Sequence, residues 1–343
     1  MRELERIVEA IRESAAAGAP SAVATILGSK GSSFRRPGAR LWLGQGRCVG
    51  AISGGCLEAD LAERVPDVLA AGVARVVTYD TGSENDVLWG TASGCGGALD
   101  ILLEPAGAEL VRDLEWVLDR LATREAAMLI TTWDAGRLER ARCDDTVALS
   151  APQSEVAAAA VACGRSAVAR DEGERLVLAE LHQPPVALSI FGSGADAEAM
   201  AALAKTLGWD VRTLRAAETD AIPRDSRSAV LVMTHNFHRD VELAGALRGA
   251  SIGYVGILGP RRRTEDLLAQ AAVAASELPA LHVPPGLDLG GETPEEIALS
   301  VVAEIQAVMA GRTGGSLQAK RAPIHDAVER VEIGVATGGV ARS

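Results

Sequence analysis

Aromatic side chains are scarce in this chain of 343 residues: three Phe, five Trp and two Tyr. Its cores must therefore be built from Ala, Val, Leu and Ile, and the length suffices for two domains of ordinary size. Cysteine is sparse and odd in number, five in all, with no CxxC spacing. That excludes a disulfide-stapled scaffold and points to a reducing compartment. Positive charge is in the minority, 34 Lys and Arg against 46 Asp and Glu, for a net −12. Nucleic acid and anionic membrane surfaces are thereby excluded as main partners, and basic residues that do cluster are expected to serve a small anionic ligand. No apolar run is long enough to span a bilayer, and the N-terminus, with charges of both signs, is no signal peptide. The expectation is a soluble, cytoplasmic protein.

What is present centres on Ala51-Ile52-Ser53-Gly54-Gly55-Cys56-Leu57-Glu58. Residues 49–52 read as a strand that breaks at two glycines, presents a cysteine and starts a helix. Open backbone N–H groups and the positive end of the helix dipole are then expected near Cys56, favouring an anion and a thiolate. A tight turn with the cysteine packed as a small hydrophobe is the competing reading.

Upstream, a strand at 21–27 runs into Gly28-Ser29-Lys30-Gly31-Ser32-Ser33, followed at once by Arg35, Arg36, Pro37 and Gly38. Hydroxyls, a lysine and arginines suit an oxyanion, but the Gly-Lys-Ser/Thr ending of a Walker loop is missing, so no ATPase is read. Two short strands, 39–43 and 47–52, form a hairpin. The helix from Leu57 toward Ala71 contains Pro66, which should kink or split it. A second glycine–cysteine element, Gly94-Cys95-Gly96-Gly97, precedes a strand at 98–104. Cys56 and Cys95 are read as flanking one ligand, while Cys48, Cys143 and Cys163 are read as packing residues. Residues 107–182 carry two helices, two strands and no obvious chemistry. The stiff His182-Gln183-Pro184-Pro185 is the candidate domain boundary.

Beyond it the pattern is strand, glycines, helix. An apolar strand at 186–191 leads to Gly192-Ser193-Gly194 and a helix at 195–207, a G-x-G-x-x-A fingerprint in the right context. The second strand ends Thr213-Leu214-Arg215, and the first acid after it is Glu218, which weakens a plain NAD reading. The next strand ends in Thr234 and His235, with His238 nearby, where open α/β sheets bind ligands. Pro260 opens a helix with three arginines, and Thr293-Pro294-Glu295-Glu296 opens the last one.

Several stretches together resemble the XdhC/CoxI family, accessory factors for xanthine dehydrogenase and related molybdenum hydroxylases. They are residues 31–40 (GSSFRRPGAR), 52–58 (ISGGCLE), 94–97 (GCGG) running into Leu103-Glu104-Pro105, 232–235 (VMTH), 254–256 (YVG) and 286–297 (GLDLGGETPEEI). The resemblance implies an N-terminal XdhC-type α/β domain with a mixed sheet over 1–182, a Rossmann-like doubly wound parallel-sheet domain over 186–312, and a homodimer. The tail 313–343 is expected to be loosely ordered. It also implies binding of the molybdenum cofactor, as molybdopterin or its dinucleotide, through Arg36, Arg40, Ser53, Gly54, Gly55, Cys56, Gly94, Cys95, Gly96, Gly192, Gly194, Thr234 and His235, with Cys56 as metal ligand. The cofactor would be held during sulfuration with a cysteine desulfurase and delivered to an apo molybdenum hydroxylase. Two positions depart from the family's pattern: Ala195, where it reads His, and Leu214-Arg215, where it reads an Asp–Arg pair. The alternative is an NAD(P)-dependent oxidoreductase using the Rossmann-like half, with His235 or His238 as proton donor.

Overall fold

Alternation along the first strands decides how the N-terminal half packs. The computed structural model describes residues 1–30, 35–80, 98–144, 148–170, 175–278, 280–319 and 330–331. They fall into two compact units, the first Met1–Pro184 with Ala322–Ser343 and the second Pro185–Arg321.

In the first unit, β1 (Ala22–Lys30), β2 (Arg40–Gly44), β3 (Arg47–Gly50), β4 (Arg75–Asp80) and β5 (Ala98–Pro105) form an antiparallel sheet ordered β3-β2-β1-β5-β4. Successive side chains of a strand face opposite ways. Ala22, Ala24, Ile26, Leu41, Leu43, Ile101 and Leu103 therefore share one face, which meets Leu57, Leu61 and Val68 of a helix at Cys56–Ala71. Val23 and Trp42 point the other way, under α1 (Arg2–Ala16) and a helix at Ala108–Ala122. These two helices, Cys56–Ala71 and Ala108–Ala122, are α2 and α3 in chain order. Further along that second face, Leu27 and Leu102 pack on Val168, Leu176 and Leu178 of another sheet. That sheet is built from β6 (Ala127–Asp134), β7 (Arg137–Arg142), β8 (Ala167–Arg170) and β9 (Leu176–His182), and α4 (Ala151–Cys163) covers its far side.

The same alternation that buries Leu102 sends Asp100, Glu104 and Arg40 toward the second sheet. Each finds an opposite charge there: Arg170 at 2.5 Å from Asp100, Arg140 on Glu104, and Glu180 at 2.7 Å from Arg40.

In the second unit, β10 (Ala187–Gly192), β11 (Asp210–Leu214), β12 (Ser228–Met233), β13 (Tyr254–Ile257) and β14 (Leu281–His282) are all parallel, in the order β11-β10-β12-β13-β14. Its strands are apolar on both faces because both are covered. One face carries α5 (Ala195–Thr206) and α8 (Pro294–Met309), the other α6 (Phe237–Ala246) and α7 (Arg261–Gln270). This is the doubly wound sheet that the strand–glycine–helix pattern predicts. Thr293 caps α8, and Glu296 reaches back to the Thr293 N–H at 3.0 Å, so that helix starts where its sequence signature places it. From the tail, a short turn at Leu317–Ala319 and β15 (Arg330–Val331) are described, and β15 pairs in parallel with β8. Among the described residues no helix is long and apolar enough to cross a membrane.

Three expectations are corrected. Pro66 neither splits nor ends α2, which runs as one helix from Cys56 to Ala71. The proline is exposed, so the backbone carbonyl it leaves without a donor can turn to water. Cys48 is exposed on the edge strand β3 rather than packed. The described residues of 107–182 hold four strands, not two, because β7 and β8 are short and polar or Ala-rich and give little periodic signal.

Candidate functional site

The turn between β3 and α2 is closed by two side chains. Ser53 Oγ accepts the N–H of Gly55 at 3.2 Å and of Leu57 at 3.1 Å, and its own hydroxyl donates to Glu58. Glu58 Oε1 accepts the N–H of Ser53 at 2.7 Å and of Ile52 at 3.1 Å. Burial alone would raise the Glu58 pKa, yet these donors, the Ser53 hydroxyl foremost, hold it below the usual carboxylate value. Two of the N–H groups expected to stand open near Cys56 are therefore already used by Ser53. Gly55 has φ 115°, a left-handed conformation that explains the second glycine. Among the described residues neither Gly54 nor Gly55 has a neighbour within 4 Å of where a Cβ would stand, and both are exposed. Cys56 is the first residue of α2; its side chain lies outside the described part of the structure.

Arg36 and Arg40 belong to a different wall of the same unit. Arg40 is buried with Glu180 in a bidentate pair, 2.7 and 2.8 Å, and also donates to Gly38 O at 3.3 Å. Gly38 has φ 91°, and a Cβ there would stand 3.0 Å from Glu180 Oε1. Burial opposes ionisation of Glu180, but Arg40 and then His182 outweigh it and draw its pKa down to about 2. Arg36 is exposed at the mouth of a cavity of about 470 Å³ that Arg40, Glu180, Ser166 and His182 help to line.

In the second unit, Gly192, Gly194, Thr234 and His235 do come together. β10 pairs with both β11 and β12, so the strand order changes direction between β10 and β12. Ligands of open α/β sheets bind at such a switch point, beyond the carboxyl ends of the strands. Gly192 lies against Met233, its Cβ position 2.6 Å from Met233 O, so no larger residue fits. Gly194, with φ 96°, caps α5 and has no neighbour within 4 Å of its Cβ position among the described residues. Thr234 Oγ1 donates to Asp240 Oδ1 at 2.5 Å, and Arg263 Nη2 holds Asp240 Oδ2 at 2.6 Å. His235 has φ 56° and is exposed, as is His238; Asn236, not a histidine, caps α6 by accepting the Arg239 N–H. Arg212 is engaged by Asp210 at 3.0 Å and Arg215 by Glu218 at 2.8 Å. Gly94, Cys95 and Gly96 lie outside the described residues, so their relation to Cys56 is not described.

Sequence reasoning gave no role to Glu58, Glu180, Ser166, His182 or Asp240. Glu58 had a usable signal, an acid on the first turn of a helix that follows a serine. The others act through contacts distant in sequence, Arg40 and Glu180 being 140 residues apart.

Comparison with known proteins gives the arrangement its context. Residues 14–80 match a family model described as the XdhC and CoxI family, and residues 188–305 match one described as the XdhC Rossmann domain. A Bacillus subtilis protein, named as a probable subunit of xanthine dehydrogenase, is 28% identical, over 82% of this chain and 91% of its own length. An Escherichia coli protein named molybdenum cofactor insertion chaperone PaoD is 26% identical, over 86% of each chain. A crystal structure described as a xanthine dehydrogenase from Bacillus halodurans superposes with a TM-score of 0.72 at 28% identity, covering 92% of this chain and 98% of the other. The two matched spans carry the Ser53–Glu58 turn and the Gly192–Thr234 crevice, and the chain belongs to the XdhC and CoxI family.

Proposed function

We propose that the protein is a maturation factor that binds the molybdenum cofactor, holds it while it is sulfurated and passes it to an apo molybdenum hydroxylase. The observation that carries this reading is the Ser53–Glu58 turn, whose two glycines have open faces beside the first turn of α2. A helix N-terminus favours an anion, and a thiol placed there favours its thiolate. The names of the relatives point the same way, one of them being a molybdenum cofactor insertion chaperone.

The residues fit such a group. The cofactor brings a soft metal centre and a phosphate, for which a thiolate and positively charged or N–H-rich turns are the matching donors. Cys56 would hold the metal, Gly54 and Gly55 would let the ligand approach the backbone, and Glu58 fixes the turn by its three hydrogen bonds from Ser53 and Ile52. The second unit has a crevice of its own, bordered by Gly194, Thr234 and His235, of the kind that suits a nucleotide. A cysteine desulfurase and the client hydroxylase are the expected partners, and a homodimer the expected assembly.

The test compares Cys56→Ser with Cys163→Ser, measuring molybdenum and pterin per protomer and thermal melts of the same samples stripped of cofactor. Serine is a much poorer ligand for a soft metal, so Cys56→Ser should lose most of the cofactor and keep the fold. Cys163→Ser should retain it. Full cofactor content in Cys56→Ser would overturn the assignment of Cys56.

A further inference from the structure

The cavity beside Arg36 has a chemistry of its own. Seven charged or polar side chains line it. Arg35 is matched by Glu3, with contacts of 2.8 and 3.2 Å, and Arg40 is matched by Glu180. Arg36 is left as positive charge in excess: it is exposed and makes no ion pair among the described residues. A smaller cavity of about 240 Å³ shares Arg36, Pro37, Ser166 and Leu181 with the first, so the two meet along that line.

Two polar atoms of the lining residues are closed off from solvent and lack a hydrogen-bond partner among the described residues: Arg40 Nε and His182 Nε2. Arg40 as a whole is 3% exposed. Its Nε–H can only donate, and leaving such a donor buried and unused costs about 1–3 kcal/mol. His182 Nε2 stands 3.7 Å from Glu180 Oε1, too far for a hydrogen bond. Ser166 Oγ accepts the Leu181 N–H at 3.2 Å, which leaves its hydroxyl proton to give. One guanidinium unmatched among the described residues and a hydroxyl donor beside it call for a compact group with acceptor oxygens and negative charge.

We propose that this cavity binds a phosphate group, with Arg36 as its charge partner and the Ser166 hydroxyl as a donor. None of the residues of the Ser53–Glu58 turn lines it, and the inference stands whether or not Cys56 ligates molybdenum. The phosphate end of a pterin cofactor and free inorganic phosphate share this chemistry.

The experiment follows the imidazole proton resonance of His182 in the full chain, assigned by its absence in His182→Gln. Inorganic phosphate is titrated at constant pH and ionic strength, with sodium chloride as the matched control. The expected result is a saturable shift of the His182 signal that chloride does not reproduce. Arg36→Ala should weaken it about ten-fold or more, the loss of one charge-assisted contact, and Arg36→Lys should restore part of it. Ser166→Ala, an independent variant, should weaken it as well. A titration without a saturable His182 shift overturns the proposal, as does a shift with the same affinity in Arg36→Ala. Repeating the titration with a pterin monophosphate separates the sources: tighter binding than inorganic phosphate assigns the site to the phosphate end of a pterin, equal or weaker binding to free phosphate. Failure here leaves the cofactor test untouched, because the phosphate titration does not read molybdenum.

Discussion

Arg40 and Glu180 are 140 residues apart and meet between the two sheets of the first unit, guanidinium to carboxylate, at 2.7 and 2.8 Å. Both are almost wholly buried. Such a pair repays its desolvation only when its geometry is good, and removing one partner leaves a buried charge without compensation. Glu180→Gln is therefore expected to destabilise the first unit by about 3–5 kcal/mol. Replacing both residues by apolar ones of similar volume, Arg40→Met with Glu180→Leu, should recover most of that loss. Urea denaturation of the single and double variants decides it; a double variant as unstable as Glu180→Gln would show that the pair contributes more than mutual neutralisation.

The same pair sets an acid limit. Glu180 has its pKa drawn down to about 2, so its folded value lies below its unfolded one. Its stabilisation is then fully present above the ordinary carboxylate range and is lost as pH falls from there toward about 2. Melting temperature should decline over that window in the natural protein, and the decline should be smaller in the apolar double variant. Equal acid sensitivity in both would assign the effect to other carboxylates.

Ser53 and Glu58 are expected to act on the turn, not on the metal. Glu58→Ala removes the acceptor of two backbone N–H groups and of the Ser53 hydroxyl. Unsatisfied buried donors cost about 1–3 kcal/mol. Thermal stability should fall by that order and cofactor retention with it, while Glu58→Gln, which keeps an acceptor oxygen, should recover a substantial part of both. Retention that is normal in Glu58→Ala would separate the turn from ligand binding.

Nicotinamide dinucleotides should bind poorly. The first acid after β11, Glu218, is held by Arg215, which contacts it through its side chain at 2.8 Å and its N–H at 2.7 Å. The Arg215 guanidinium and backbone N–H pull the Glu218 pKa down to about 2, and the carboxylate is not free to accept from a ribose. Any dinucleotide bound should be preferred with a 2′-phosphate, and Arg215→Ala should abolish that preference. Calorimetric titration with both forms is the measurement; tight NAD binding indifferent to Arg215→Ala would contradict the expectation.

The second unit was the more legible half. Its elements announce themselves locally: an apolar run ending at Gly192, a glycine at Gly194 that needs φ 96°, and a Thr293 cap three residues before Glu296. Each signal lies within a few residues of the structure it specifies. The turn before α2 was legible for the same reason, although the part Ser53 plays in using up its N–H groups was not. What escaped were the β7 and β8 strands of the second sheet of the first unit and the far wall of the Arg36 cavity. Ser166, Glu180 and His182 look unremarkable in sequence, and they acquire meaning from partners that the alternation of β2 and β9 brings across the gap between the sheets. The buried Asp240 was hidden likewise, since its partner Arg263 comes from the first turn of α7, on the far side of β13 in the chain.

The two residues of β15 alter what the connectivity means. After the Rossmann-like unit the chain returns to lay Arg330–Val331 along β8. The parallel-sheet unit is thus a guest spliced into its host rather than a bead strung after it. The return also guards a border. Without β15, β8 would present its free N–H and C=O groups as a template on which a foreign strand could add. The returning stretch shields the host from unwanted pairing.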